Sequence, residues 1–348
     1  ECVGVVPGGA DFVLEARNRG GSWVLGHTAD GALRGWLTGR YLRWGGVHVM
    51  TLPEIATGAG IPPMMTPTPY YTPTPTPDFD ALPRRTDRVT LDFPWETLSY
   101  AQGVYERGQT FGNNPQTFIL IGDSTTAGNQ FTLPLFHSIT HNLYDLGQYV
   151  ELQETIDFFR ATRSFSAASQ TARSGQAAAH ELDPELANPT VCLDGETPLA
   201  CEIRIKRPSV AIIYIGFVEL ARSTHGAYLM DLDMILEACV ANGVIPVLTT
   251  LTATSEGILR HAPLAQFENM NEVIRVFADS YHVPLIDLNT YAGQLPNRGV
   301  IFEEGIHLSY RVDGIVNFNG DEWLYGKDLR TLLTLQALDI LRREVLTP

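Results

Sequence analysis

The sequence is poor in cysteine, short of positive charge and without a long apolar run. Four cysteines in 348 residues are too few to staple a fold by disulfides alone, and their spacings form no zinc pattern. Lys and Arg number 24 against 39 Asp and Glu, a net charge of -15. That balance argues against nucleic acid or an anionic membrane surface as the main partner. No apolar stretch approaches the roughly 20 residues of a membrane span. There is no phosphate loop, since Gly122 to Gly128 lacks the lysine such a loop needs. No Asn-x-Ser/Thr acceptor is usable, because Asn188 is followed by proline. The chain opens at Glu1-Cys2 without a signal-peptide pattern, which we read as the sign of an earlier segment removed.

The cysteines that are there still carry information. Cys192 and Cys201 flank Leu-Asp-Gly-Glu-Thr-Pro-Leu-Ala, a turn-rich loop able to close as a small disulfide ring. Such a bridge implies an oxidising compartment. Cys239 shares an apolar helix face with Leu232, Ile235 and Leu236 and reads as a buried free thiol. Cys2 has no obvious partner.

Three regions differ in composition. Residues 1–55 combine Gly, Trp and short apolar alternations with turn signals at Gly8-Gly9, Gly20-Gly21 and Asp30-Gly31, the pattern of short antiparallel strands. The run Gly21-Ser22-Trp23 followed by Gly35-Trp36-Leu37 resembles the bacterial SH3-like module. That resemblance implies a small β barrel that binds wall or protein, or serves as a spacer, with Trp23 and Trp36 in its core. Residues 56–87 form a linker whose centre, 62–77, has proline at nearly every second position. Proline there forbids helix and ladder pairing and favours polyproline II, which at about 3.1 Å per residue spans roughly 50 Å. Its Thr-Pro repeats suit O-glycosylation, and we expect the tract to pack against a neighbouring subunit.

From residue 88 to 348 the pattern is α/β. Strands are expected at Phe118–Ile121, Val210–Ile215, Ile245–Leu251 and Pro284–Leu288, with a weaker one near Ile156–Arg160. Helical spacing of apolar residues marks Tyr228–Val240, Gln266–Ser280 and Leu329–Leu346. Alternation of this kind implies a parallel sheet covered on both faces. The first strand stops at Gly122-Asp123-Ser124. Ligands of α/β sheets bind outside the carboxyl ends of strands, so Ser124 either stands displayed as a nucleophile or, with Asp123, caps the next helix. A nucleophile needs a base, and Glu304-Gly-Ile-His307 near the end of the chain supplies a histidine with a carboxylate three residues before it. Glu303 competes with Glu304 for that role. His137 and His141, four apart in an expected helix, can share a metal only with a third ligand that the sequence does not offer.

Gly122-Asp-Ser-Thr-Thr, the strand Val210–Gly216, the strand Val244-Ile-Pro-Val-Leu and Glu304-Gly-Ile-His-Leu-Ser together resemble the SGNH/GDSL hydrolases over residues 88–348. The resemblance implies a three-layer α/β/α sandwich with a flavodoxin-like parallel sheet, and ester hydrolysis without metal or cofactor. It makes Ser124 the nucleophile, His307 the base and Glu304, in place of the family's aspartate, the orienting acid. Its oxyanion site would comprise the backbone N–H groups of Ser124 and Gly175 and an asparagine side chain. Where that asparagine is expected, the chain reads Gly216-Phe217-Val218-Glu219. Val218 has no donor, Phe217 is bulky enough to occlude the cleft, and an ionised Glu219 would oppose a developing oxyanion. Losing one such donor costs about 100- to 1000-fold in turnover.

Two functions fit. The first is an exported or cell-surface serine esterase of reduced efficiency, acting on an ester or acylated glycan. The second is a catalytically impaired subunit of an extracellular assembly that uses residues 1–77 for cell-wall or self-association contacts. Neither involves nucleic acid or a membrane span.

Overall fold

A computed structural model of the protein describes residues 12–17, 23–28, 34–38, 79–127, 133–137, 143–166, 168–222 and 225–347. The chain divides into two units, Glu1–Tyr71 and Thr72–Pro348. In the first, β1 (Phe12–Arg17), β2 (Trp23–Thr28) and β3 (Arg34–Thr38) form an antiparallel sheet in that order. Leu25 lies opposite Trp36, and the β1–β2 register slips between Leu14 and Ala16. Glu15, at the slip, places Oε1 2.8 Å from His27 Nδ1. The turn signals Gly8-Gly9, Gly20-Gly21 and Asp30-Gly31 lie outside the described residues. These three strands do not by themselves show the expected SH3-like barrel, and the side chains of Trp23 and Trp36, Cys2 and the Pro/Thr tract lie outside the described residues.

The second unit alternates helix and strand. It runs through α1 (Trp95–Phe111), β4 (Asn114–Gly122), β5 (Tyr144–Asp145), α2 (Gln153–Arg160), α3 (Pro198–Lys206), β6 (Pro208–Tyr214) and α4 (Phe217–Arg222). It continues with α5 (His225–Ala241), β7 (Ile245–Thr249), α6 (Ser255–Leu259), α7 (Leu264–Tyr281), β8 (Leu285–Ile286), α8 (Leu288–Ala292), β9 (Val316–Asn317) and α9 (Gly326–Leu341). Strands β4, β6, β7 and β8 pair in that order, all parallel. β5 and β9 form a separate parallel pair. At the outer edge of β4 a single parallel bridge joins Gly122 to Ala172. With that bridge as a rudimentary edge strand, the order becomes the 2-1-3-4-5 of flavodoxin-like sheets. The topological switch point then falls between the carboxyl ends of β4 and β6.

Every residue of β6 and β7 is buried, so both faces of the sheet are covered. The covering side chains include Leu232, Ile235 and Leu236 of α5, Met270 and Ile274 of α7, and Leu332, Leu333 and Leu335 of α9. Each fully buried side chain of this size stabilises the fold by about 1.5–3 kcal/mol. Residues 79–87, within the stretch the composition assigns to the linker, are held against this unit. Arg84 pairs with Asp321, and the Trp323 indole donates to Asp87 O at 2.7 Å. Just beyond them, Gln336 Nε2 donates to Val89 O at 2.8 Å.

One expected strand is corrected. Ile156–Arg160 lies in helix α2, which buries Thr155, Ile156 and Phe159. That spacing is helical, and Phe159 meets Phe118 of β4 edge-to-face at 5.3 Å. Among the described residues no helix is long and apolar enough to cross a membrane.

Candidate active site

Strand β4 delivers Gly122 to a place where no side chain fits. A Cβ there would lie 2.3 Å from Thr126 Oγ1 and 2.6 Å from Tyr214 O. The chain therefore folds back tightly against the end of β6. The turn that follows is closed by Asp123: its carbonyl accepts from the Thr126 and Ala127 amides at 3.0 and 2.9 Å. Its Oδ1 accepts from the Thr125 amide at 2.9 Å and the Thr125 hydroxyl at 2.7 Å. The two roles considered for this motif are thus divided between two residues. Asp123 caps the turn, and Ser124 is left partly exposed among buried neighbours. Burial pushes the Asp123 carboxyl up, against the Thr125 bonds and the Arg330 charge.

His307 arrives on a loop with its own backbone bonds. Val300 bridges Leu308, the Ile301 amide donates to His307 O at 2.8 Å, and the Gly305 amide donates to Ile301 O at 2.7 Å. Gly305 has φ +73, and a Cβ on it would lie 2.3 Å from Thr254 Oγ1, so only glycine fits between Glu304 and His307. The outcome is a line of three groups. Ser124 Oγ lies 3.1 Å from His307 Nε2, and His307 Nδ1 lies 2.5 Å from Glu304 Oε2. A carboxylate only accepts, so the ring N–H sits on Nδ1 and the Nε2 lone pair faces the hydroxyl. Glu304, not the exposed Glu303, makes this contact. Such a line can take a proton from a hydroxyl as it attacks and return it to a leaving group.

The groups that would receive negative charge are less complete. Gly175 is the third residue of a turn closed by the Gln176 amide on Arg173 O at 3.1 Å. It has φ +75, with nothing within 4 Å of its Cβ position. The Arg173 amide donates to Gly122 O at 3.2 Å, which ties this loop to the end of β4. Val218 is half-buried in the first turn of α4 and offers only hydrocarbon. Phe217 is half-buried and packs against the core, 6.0 Å from the Tyr214 ring and 6.4 Å from the Phe267 ring. Glu219 is buried and accepts from the Ala178 amide. Desolvation, with the charges of Asp123 and Asp231, pushes its carboxyl up to about 7.

Cys192 and Cys201 form a disulfide with an S–S distance of 2.07 Å. Cys239 is a fully buried free thiol, pushed up to about 12 by desolvation. His137 ends a short 3-10 turn (Leu133–His137) in place of the expected helix, and His141 lies outside the described residues. Among the described residues, Cys192, Glu196 and Cys201 are grouped closely enough to hold a metal, but both sulfurs are committed to the disulfide. The sequence reading missed Arg330, taking only the leucines of its helix. Arg330 is buried against the Ser124 turn, with Nη1 2.8 Å from Thr125 O. Helix α9 is buried nearly all round although Lys327, Asp328, Arg330 and Asp339 stand among its leucines, so no local signal set Arg330 apart from a solvated arginine.

No protein-family model and no curated protein matches the sequence. Among solved structures the chain is similar to the lipase/acylhydrolase from Enterococcus faecalis, at 18% identity over 65% of this chain and 96% of that one, TM-score 0.41. It is also similar to a GDSL-like lipase from Bacteroides thetaiotaomicron, at 14% identity over 70% and 98%, TM-score 0.37. A third is the psychrotrophic esterase EstA from Pseudoalteromonas sp., inhibited by monoethylphosphonate, at 12% identity over 66% and 97%, TM-score 0.35. The chemistry is argued from the side chains of this chain alone.

Proposed function

We propose that the protein is a serine esterase of the SGNH/GDSL type, exported or held at the cell surface. It cleaves carboxylic esters or glycan O-acyl groups at reduced efficiency. The observation that carries this reading is the line Ser124–His307–Glu304, with contacts of 3.1 and 2.5 Å. Ser124 Oγ attacks the ester carbonyl as His307 Nε2 takes its proton, and Glu304 holds the imidazolium in place. The Ser124 and Gly175 N–H groups receive the oxyanion. Collapse expels the alcohol, which takes the proton from His307. Water activated by the same imidazole then releases the acid. The Cys192–Cys201 bridge supports an oxidising compartment, and an SH3-like N-terminal unit would supply a wall or protein contact.

Reaction with a serine-directed fluorophosphonate, followed by mapping of the adduct, tests the reading. We expect labelling at Ser124 and none in Ser124→Ala. An unlabelled, folded wild-type protein would sink it. Val218 favours a second reading, a hydrolase-derived subunit of an extracellular assembly that no longer turns over. A protein inert to both phosphonate and p-nitrophenyl acetate, and associated in solution through residues 1–77, is the result that reading requires.

A further inference from the structure

Helix α9 touches the site at two places. Its N-terminus holds the loop that carries His307: the Gly326 amide donates to Ser309 Oγ at 3.1 Å, and the Lys327 amide to Ser309 O at 3.0 Å. Gly326 also lies against Gly299, where this loop begins, so closely that a Cβ on Gly326 would fall 1.9 Å from Gly299 O. About one turn later comes Arg330, 1% exposed. Its Nη1 donates to Thr125 O at 2.8 Å and its Nη2 to Thr126 Oγ1 at 2.9 Å. The guanidinium lies 4.1 Å over the ring of Tyr214, the last residue of β6. Thr126 Oγ1 in turn lies 3.4 Å from Tyr214 O.

A guanidinium is costly to bury unless its charge and its N–H groups are met. Here the two Nη groups are met by the residues that follow Ser124, and the charge by Asp123, the residue before it. The fork grips two acceptors at fixed spacing, which an ammonium cannot do. We propose that Arg330 is a positioning residue. Through it α9 fixes the Ser124 turn, while the N-terminus of α9 fixes the His307 loop, and one rigid helix thereby sets the hydroxyl-to-imidazole contact. The inference rests on reading Ser124 and His307 as the reacting pair. It differs from a purely structural role, in which Arg330 would only neutralise Asp123.

The test uses the full chain and two variants, Arg330→Lys, which keeps the charge and loses the fork, and Thr126→Val, which removes one acceptor. Three quantities are read. The first is the rate of fluorophosphonate labelling, with kcat and KM on p-nitrophenyl acetate. The second is the His307 ring-nitrogen chemical shifts, which report the Ser124 contact without turnover. The third is thermal unfolding. For Arg330→Lys we expect labelling and kcat to fall about 100-fold with KM nearly unchanged, since small misplacements of reacting groups cost that much. The His307 ring resonances should shift in parallel. Thr126→Val should show a smaller change of the same kind.

A folded Arg330→Lys with unaltered labelling and unaltered His307 resonances overturns the proposal. If Arg330→Lys does not fold, Thr126→Val decides by the same criteria. If the wild type is not labelled, the esterase reading fails separately. The His307 resonances then still decide whether Arg330 sets the contact.

Discussion

In the proposed esterase, Val218 is the residue that would hold turnover down. The valine side chain at the head of α4 has no N–H to offer an oxyanion, which would leave that charge to backbone amides. Val218→Asn should therefore raise kcat on p-nitrophenyl acetate by about 100-fold with little change in KM, the inverse of losing such a donor. A rate that stays flat would place the defect elsewhere. Its neighbour Glu219 bears on stability more than on chemistry. Its carboxyl is pushed up to about 7 in the fold, from an ordinary value of 4.5. The folded state therefore holds a proton that the unfolded state releases. This contribution is fully present below about pH 4.5 and is lost as pH rises through 7, by about 1.4 kcal/mol for each unit of the shift. Glu219→Gln should narrow the difference in unfolding midpoint between pH 5 and pH 8. An unchanged difference would mean that Glu219 is already ionised in the folded protein. At this scale Ser124, His307 and Glu304 were legible because each sits in a short motif. Arg330 was not, because an arginine in a helix is ordinarily read as solvated.

The strands carried their signal in β-branched runs, and β4, β6 and β7 fall where those runs lie. Ile156–Phe159 misled because a short apolar run fits strand and helix alike, and only its packing against Phe118 decides. Helix α1 gave little periodicity to read, since its buried positions are Thr97, Ala101, Val104 and Gly108. Its glycine is there for contact: a Cβ on Gly108 would lie 2.3 Å from Gly243 O. Close backbone approach recurs where α9 meets the His307 loop. Gly326→Ala should cost about 1–3 kcal/mol in denaturant unfolding, as overpacking does, and should slow phosphonate labelling of the folded fraction. A variant as stable and as reactive as the wild type would show that the Gly299–Gly326 contact yields easily.

Every residue named at the site belongs to the unit Thr72–Pro348. A chain lacking residues 1–71 should keep its rate of phosphonate labelling and its unfolding midpoint, while any wall or self-association contact of the N-terminal unit should disappear. Loss of labelling would show that the first unit supports the site. The changes of composition set boundaries after residues 55 and 87, whereas the two units divide between Tyr71 and Thr72, within the Pro/Thr tract. The flavodoxin-like sheet order came from the family resemblance alone, because pairing between distant strands leaves no mark in local sequence. That distance also governs time. The hydroxyl of Ser124 and the ring of His307 are 183 residues apart in the chain yet 3.1 Å apart in space. At about 5–20 residues per second of synthesis, roughly ten seconds or more separate the emergence of Ser124 from that of His307, and α9 follows later still. A nascent chain thus carries Ser124 without its partner ring, and the contact can close only when nearly the whole unit has been made.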